Sequence, residues 1–165
     1  MRTLAPLAMS AHPPELQHRI SPAEWAGAGH LVDFRGHSVF VLDSAPQAAD
    51  DALLLIHGFP TASWDWEAIW PTLTARHRVL AFDMLGFGLS AKPRRHAYSI
   101  FEQADLAEHL LAGQGIASYH VLAHDYGDTV AQELLARSRE PGRRPALRSG
   151  TRTAPGSSRL RAHAA

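Results

Sequence analysis

Apolar and polar positions alternate on either side of Arg35-Gly36 in HLVDFRGHSVFVLDS, residues 30–44. That spacing predicts two strands joined by a tight turn, a β-hairpin. Three later segments are apolar without alternation: ALLLIHGF at 52–59, RVLAFDM at 78–84 and SYHVLAH at 118–124. Short continuous runs of this kind fit strands covered on both faces of a parallel sheet. The stretches between them have helical spacing. TASWDWEAIWPTLTARH puts Trp66, Ile69, Trp70 and Leu73 on one side, with Pro71 expected to kink or divide the helix. SIFEQADLAEHLLAGQG opens with Ser99 and Glu102 in the arrangement of a capping box and closes on Gly. YGDTVAQELLARS is expected to be the last helix, and RPALRS at 144–149 the start of a further strand. Residues 1–28 are rich in Ala, Pro and His with weak periodicity, which predicts a loose lead-in with at most one short helical turn.

The order is hairpin, then strand and helix three times over. It predicts an α/β fold with a mostly parallel sheet and helices on both faces. Ligands in such sheets bind beyond the carboxyl ends of the strands. HGFP at 57–60 and HDYG at 124–127 should therefore lie on one edge.

At 165 residues the chain has room for one compact domain, and 45% hydrophobic with 19% charged residues is ordinary for a globular protein. The run ALLLI is far shorter than the roughly 20 residues that span a bilayer, so no membrane helix is expected. The N-terminus lacks a continuous apolar segment of the secretory kind, which makes a cytoplasmic location the default. The absence of cysteine excludes disulfides and thiolate chemistry. The 11 histidines are scattered, without HExxH or paired spacing, and no metal is expected. A net charge of zero conceals a basic end: from Arg137 onward lie eight of the 16 basic residues and a single acid, Glu140. Without interleaved aromatics this end does not point to nucleic acid.

Chemistry concentrates at Ala123-His124-Asp125-Tyr126-Gly127, a small residue, any residue, a nucleophile, any residue and Gly. This is the pattern of a strained turn between strand and helix that exposes a nucleophile, and small residues are needed because the turn is tight. A carboxylate there can attack an electrophilic sp³ carbon, as in an epoxide or alkyl halide. The product is an alkyl ester that water hydrolyses with help from a histidine base. The plainer reading of Asp125 is a helix N-cap. Asp83 is expected to build its loop as a hydrogen-bond acceptor, and Trp64, Trp66 and Trp70 to line the core or a pocket.

HGFPTASWDW, GFGLSAKPRRHAYSIFEQADLAEHLL and HDYGDTVAQELL, with Asp83, Gly86, Gly88 and Ser90 between them, resemble the α/β-hydrolase superfamily. Within it they are similar to the epoxide hydrolase and haloalkane dehalogenase branch, and most of all to the mesoderm-specific transcript group, over roughly residues 30–149. The resemblance implies Asp125 as nucleophile and the backbone N–H groups of Phe59 and Tyr126 as the oxyanion hole. It implies His57, Gly58, His124 and Gly127 as supporting loop residues, a small-molecule substrate and no cofactor. Haloalkane dehalogenases cradle halide with N–H-bearing side chains where this chain has Phe59 and Tyr126, so an epoxide or similar electrophile is favoured over a haloalkane. A serine esterase is not expected, since the elbow holds no Ser. A non-catalytic protein binding a small molecule at the same edge is the alternative from another class.

The same resemblance places a catalytic acid, a histidine and a helical cap after the elbow. Here His163 is the sole histidine beyond it, and GTRTAPGSSRLRAHAA at 150–165 has no apolar periodicity. The expectation is a lead-in at 1–28, a partial α/β-hydrolase domain at 29–149 and a disordered, out-of-frame tail at 150–165. Such a truncated chain would be inactive or limited to a single turnover.

Overall fold

The computed structural model describes residues 19–44, 51–139 and 146–147. The lead-in before residue 19 and the tail at 150–165, with His163, lie outside the described residues. The elements are α1 (Pro22–Ala28), β1 (His30–Phe34), β2 (His37–Asp43), β3 (Asp51–Ile56), a 3₁₀ turn (Ser63–Trp66), α2 (Trp70–Thr74), β4 (Arg78–Phe82), α3 (Ile100–Gly113), β5 (Ser118–Ala123), α4 (Tyr126–Ser138) and β6 (Ala146–Leu147). They form one six-stranded sheet in the order β1-β2-β4-β3-β5-β6. The hairpin strands are antiparallel, and β4, β3, β5 and β6 run parallel, giving the mostly parallel sheet that the strand–helix alternation predicts.

The hairpin turns through Arg35 and Gly36, both left-handed at φ 53° and 82°. This is the backbone that a two-residue turn needs to match strand twist. Side chains then alternate between two cores. Leu54 and Ile56 of β3, Leu80 and Phe82 of β4 and Tyr119, Val121 and Ala123 of β5 face α3 and α4. Leu55, Val79 and Ala81 face the other way, against Trp25 of α1, Trp66 of the 3₁₀ turn and, behind them, Trp70 and Leu73. Both faces of the continuous apolar runs are therefore covered.

Two local expectations are corrected, and a third, division of a helix at Pro71, is met. The lead-in includes a seven-residue helix, α1, closed at its start by a full capping box: Ser21 Oγ accepts from Glu24 N–H and the Glu24 carboxylate accepts from Ser21 N–H. The signal was present as S-P-A-E, an N-cap, a Pro at the first helical position and a Glu three residues on. The expected helix over TASWDWEAIWPTLTARH is divided, because Pro71 opens α2 and cannot continue the turn before it; Ile69 and Trp64 are left exposed. At α3 only half the box forms. Ser99 Oγ caps Glu102 N–H at 3.1 Å, while the Glu102 carboxylate turns to His96 Nε2 at 2.6 Å and ties the preceding loop down.

Arg137 of α4 is buried between the two helices beneath the sheet. Its guanidinium donates to Glu133, to Asp105 and Glu108 of α3 and to the Phe101 carbonyl. One fork thus fixes how α4, whose first residue follows Asp125, sits against α3. No helix among the described residues is long and apolar enough to cross a membrane.

Leu54 is fully enclosed in the central strand whereas Leu31 is 60% exposed on the edge strand. Leu54→Ala is expected to cost about 2–5 kcal/mol by urea denaturation, and Leu31→Ala less than about 0.5 kcal/mol. Equal losses would contradict this placement of the core.

Candidate active site

β3 and β5 are parallel neighbours whose last residues, Ile56 and Ala123, lie opposite one another. The segments that follow, His57-Gly58-Phe59 and His124-Asp125-Tyr126, therefore leave the sheet side by side. This is the shared edge predicted for HGFP and HDYG. At Asp125 the backbone turns with φ 53° and ψ −121°, and α4 begins at the next residue. Gly127 makes the turn possible. A Cβ there would stand 2.5 Å from the Ile56 carbonyl oxygen and 2.6 Å from that of His57. Gly58 is similarly confined: a Cβ would stand 2.8 Å from both Asp125 Cβ and the His124 ring.

Asp125 is exposed and its side chain does not cap α4. Oδ1 instead accepts from Phe59 N–H at 2.8 Å, across a sequence separation of 66 residues. The plainer N-cap reading therefore does not describe this side chain. Phe59 N–H, then Tyr126 N–H, hold the carboxyl below the usual carboxylate range, with a smaller contribution from His124. The sign follows: these bonds support the fold while Asp125 is ionised, and that support is lost as pH falls through the lowered pKa. The two amides assigned to an oxyanion hole thus converge on the side chain assigned as nucleophile.

His57 is fully buried. Its Nδ1–H donates to the Gly58 carbonyl at 2.8 Å and its Nε2 accepts from Met84 N–H at 3.0 Å, which selects the neutral tautomer. Burial lowers its pKa further. Both ring nitrogens are committed to holding loops. Asp83 is likewise a loop builder, accepting from Ser63 N–H at 2.7 Å and Leu89 N–H at 2.6 Å. His124 meets Asp65 at 3.1 Å through Nε2 and packs on Trp66 with ring centroids 5.1 Å apart. Asp65 also accepts from the Thr61 hydroxyl. Beside the carboxylate stand three rings: Phe59, Phe87 at 6.1 Å from it and Tyr126 at 6.3 Å from Phe87.

Asp65, Thr61 and Phe87 are the site neighbours that sequence reasoning missed. Thr61 and Asp65 are four residues apart, but nothing in their spacing announces a partner at position 124. Among the described residues no three His, Cys, Asp or Glu side chains are placed to hold a metal ion.

An open parallel sheet whose central strands end in a His-Gly loop and a strained acidic turn defines the class as a hydrolase-type α/β fold. The chain belongs to the alpha/beta hydrolase fold family, whose family model matches residues 51–154, slightly past Ser149. It is 48% identical over 134 residues to the mesoderm-specific transcript homolog protein of Bos taurus, covering 78% of this chain and 39% of that one. Epoxide hydrolase B of Mycobacterium tuberculosis is 37% identical over 104 residues, 61% of this chain and 29% of that one. Among solved structures, a haloalkane dehalogenase variant from Bradyrhizobium elkanii superposes with a TM-score of 0.64 at 33% identity, covering 76% of this chain and 39% of that one. The chain spans well under half the length of these relatives. The fold class and the resemblance read from the sequence are thereby shown.

Gly127→Ala is expected to cost at least about 2 kcal/mol, since its Cβ would meet two backbone carbonyls of β3 and its extension that cannot move singly. Gly113→Ala, in open space within α3, should be neutral or stabilising. Thermal melts of the two variants compare them directly.

Proposed function

We propose that this protein is a hydrolase with an Asp nucleophile, acting on small apolar electrophiles and on epoxides foremost. The observation that carries the reading is the exposed Asp125 carboxylate held by the Phe59 and Tyr126 amides at the end of β5. In the first step a carboxylate oxygen attacks a ring carbon, the C–O bond of the epoxide breaks, and the alkoxide takes a proton from water. An alkyl ester of Asp125 results. Completing the cycle would need a base to take a proton as water adds to the ester carbonyl, the two amides holding the oxygen on which negative charge gathers, and then cleavage of the acyl C–O bond to release the diol and restore Asp125.

The rings of Phe59, Phe87 and Tyr126 offer an apolar side to the site and favour a hydrophobic substituent on the substrate. Phe59 also supports the epoxide over the haloalkane, because its ring carries no N–H to receive a departing halide. The likeness to a haloalkane dehalogenase structure favours the other reading, and the two are separable by reactivity.

Among the described residues no imidazole nitrogen is placed to activate the second water. His57 is engaged at both nitrogens, and His124 meets Asp65 with Nε2 and turns its Nδ1–Cε1 edge toward the space beside Gly58. A single turnover, leaving the ester in place, is therefore the outcome proposed for the described residues.

Incubation with styrene oxide should add one mass equivalent, mapped by peptide sequencing to Asp125 and absent from Asp125→Ala. Labelling should continue as pH drops past the ordinary Asp value of about 3.9, because the amides keep the carboxylate ionised. A folded protein without an adduct at Asp125 overturns the nucleophile. Faster labelling by 1-bromobutane would transfer the reading to a haloalkane dehalogenase. Sustained diol production would overturn the single turnover.

A further inference from the structure

His124 precedes the candidate nucleophile and is not used in the chemistry described so far. Its surroundings hold it from several sides. Nε2 meets the Asp65 carboxylate at 3.1 Å, and Asp65 is itself held by the Thr61 hydroxyl. The ring packs edge-to-face on Trp66, which is buried in the core beside α1 and β4. The adjoining edge of the ring, Nδ1 and Cε1, borders Gly58, where both atoms are 2.8 Å from the place a Cβ would occupy. Asp125 Cβ lies at the same 2.8 Å from that point. The His124 ring and the first carbon of the Asp125 side chain thus both border the space beside Gly58 that a Cβ would fill, which only glycine leaves open.

This geometry argues against His124 as a base. A general base needs a nitrogen facing the water it activates. Here Nε2 is engaged by Asp65, and Nδ1 is turned to the space beside Gly58 that a Cβ would fill. It argues equally against a merely filling role, because a filler needs no carboxylate fixed behind it. We propose that His124 is a positioning residue: clamped by Asp65 and Trp66, its ring sets the spacing between the Gly58-Phe59 segment and Asp125, so that Phe59 N–H stays aligned with the carboxylate. This rests on Asp125 being the nucleophile.

A charge effect accompanies the spacing. The groups facing His124 are Asp65 from the 3₁₀ turn, Asp125 and Asp128 from the start of α4, and the neutral His57 behind Gly58. After the Phe59 and Tyr126 amides, His124 also favours the ionised form of Asp125.

The test uses the full chain and two variants, His124→Gln and Asp65→Asn, with two readouts. One is the rate of Asp125 labelling by styrene oxide; the other is titration of the Asp125 carboxyl carbon by ¹³C NMR, which needs no reaction. Both variants should label roughly tenfold more slowly, the order of loss that accompanies a small misplacement of reacting groups. The titration midpoint should rise in His124→Gln, where the His124 contribution is removed, and should not rise in Asp65→Asn, where an anion is removed. The double variant should label no more slowly than His124→Gln, because the pair acts as one unit. Labelling at the wild-type rate in His124→Gln, or additive losses in the double variant, would overturn the proposal. If wild-type Asp125 is not labelled at all, the nucleophile falls and the positioning role falls with it. A labelled wild type with unaltered variants removes the positioning role alone.

Discussion

Between the end of β5 at Ala123 and the start of α4 at Tyr126 the chain has two residues in which to pass from strand to helix. The left-handed backbone at Asp125 is what makes so short a passage possible. A non-glycine residue held in such a conformation costs on the order of 1–3 kcal/mol, and it persists only where its surroundings leave no alternative. Here they leave none. β3 is held by parallel partners on both sides, which fixes the Ile56 and His57 carbonyls, and α4 must start close above them. Gly127 fits under that ceiling because it has no Cβ, and the Arg137 fork ties the other end of α4 to α3. The turn is thus imposed by the sheet below and the helix pair beside it, and the position of the carboxylate is a consequence.

Once the turn is set, the electrostatics follow from the backbone. Asp125 stands at the N-terminus of a helix with Tyr126 N–H beside it, and the adjacent strand delivers Phe59 N–H to the same point. Stabilising the resting carboxylate in this way lowers its reactivity somewhat, and would be self-defeating if the donors acted at no other stage. In the carboxylate the charge is shared between two oxygens, whereas in the tetrahedral adduct of the ester it is gathered on one. Under the proposed function, donors already in place would interact more strongly with the adduct than with the resting ion, which is the differential on which catalysis depends.

The strand–helix order was legible because each buried strand is a short unbroken apolar run and each helix carries the complementary spacing. The hairpin was legible from the alternation on either side of Arg35-Gly36. What escaped was local competition among polar groups. Glu102 could have completed a capping box at Ser99 or paired with His96, and the sequence holds both options; only the folded loop shows that His96 wins. The S-P-A-E signal of α1 was present but lay in an Ala- and Pro-rich stretch whose low periodicity masked it. At the site, the turn at 123–127 was readable as a local pattern, whereas Phe59, 66 residues from Asp125, entered only through the family resemblance. Asp65 was not readable, because its contact with His124 arises from the docking of the 3₁₀ turn onto the strand ends, and long-range docking leaves no spacing in the sequence.

The two sides of the carboxylate differ in kind, and that difference bears on the substrate. Toward the sheet there are amides, a histidine and a paired acid. Beside them stand Phe59, 67% exposed, with Phe87 and Tyr126. Single exposed apolar residues such as Leu31 and Phe101 are ordinary on any surface, but grouped rings beside a reactive group form the kind of patch that a ligand covers. Under the proposed function, a substrate fitting both sides has a reactive carbon bonded to oxygen and an apolar substituent. Halide departure asks for N–H groups directed at the leaving atom, and a phenyl ring at position 59 supplies none. Epoxide opening asks less of that position, since the oxygen formed is basic enough to take its proton from water. The identity of residue 59 therefore weighs on the leaving group, while its backbone N–H serves the nucleophile whichever leaving group is used.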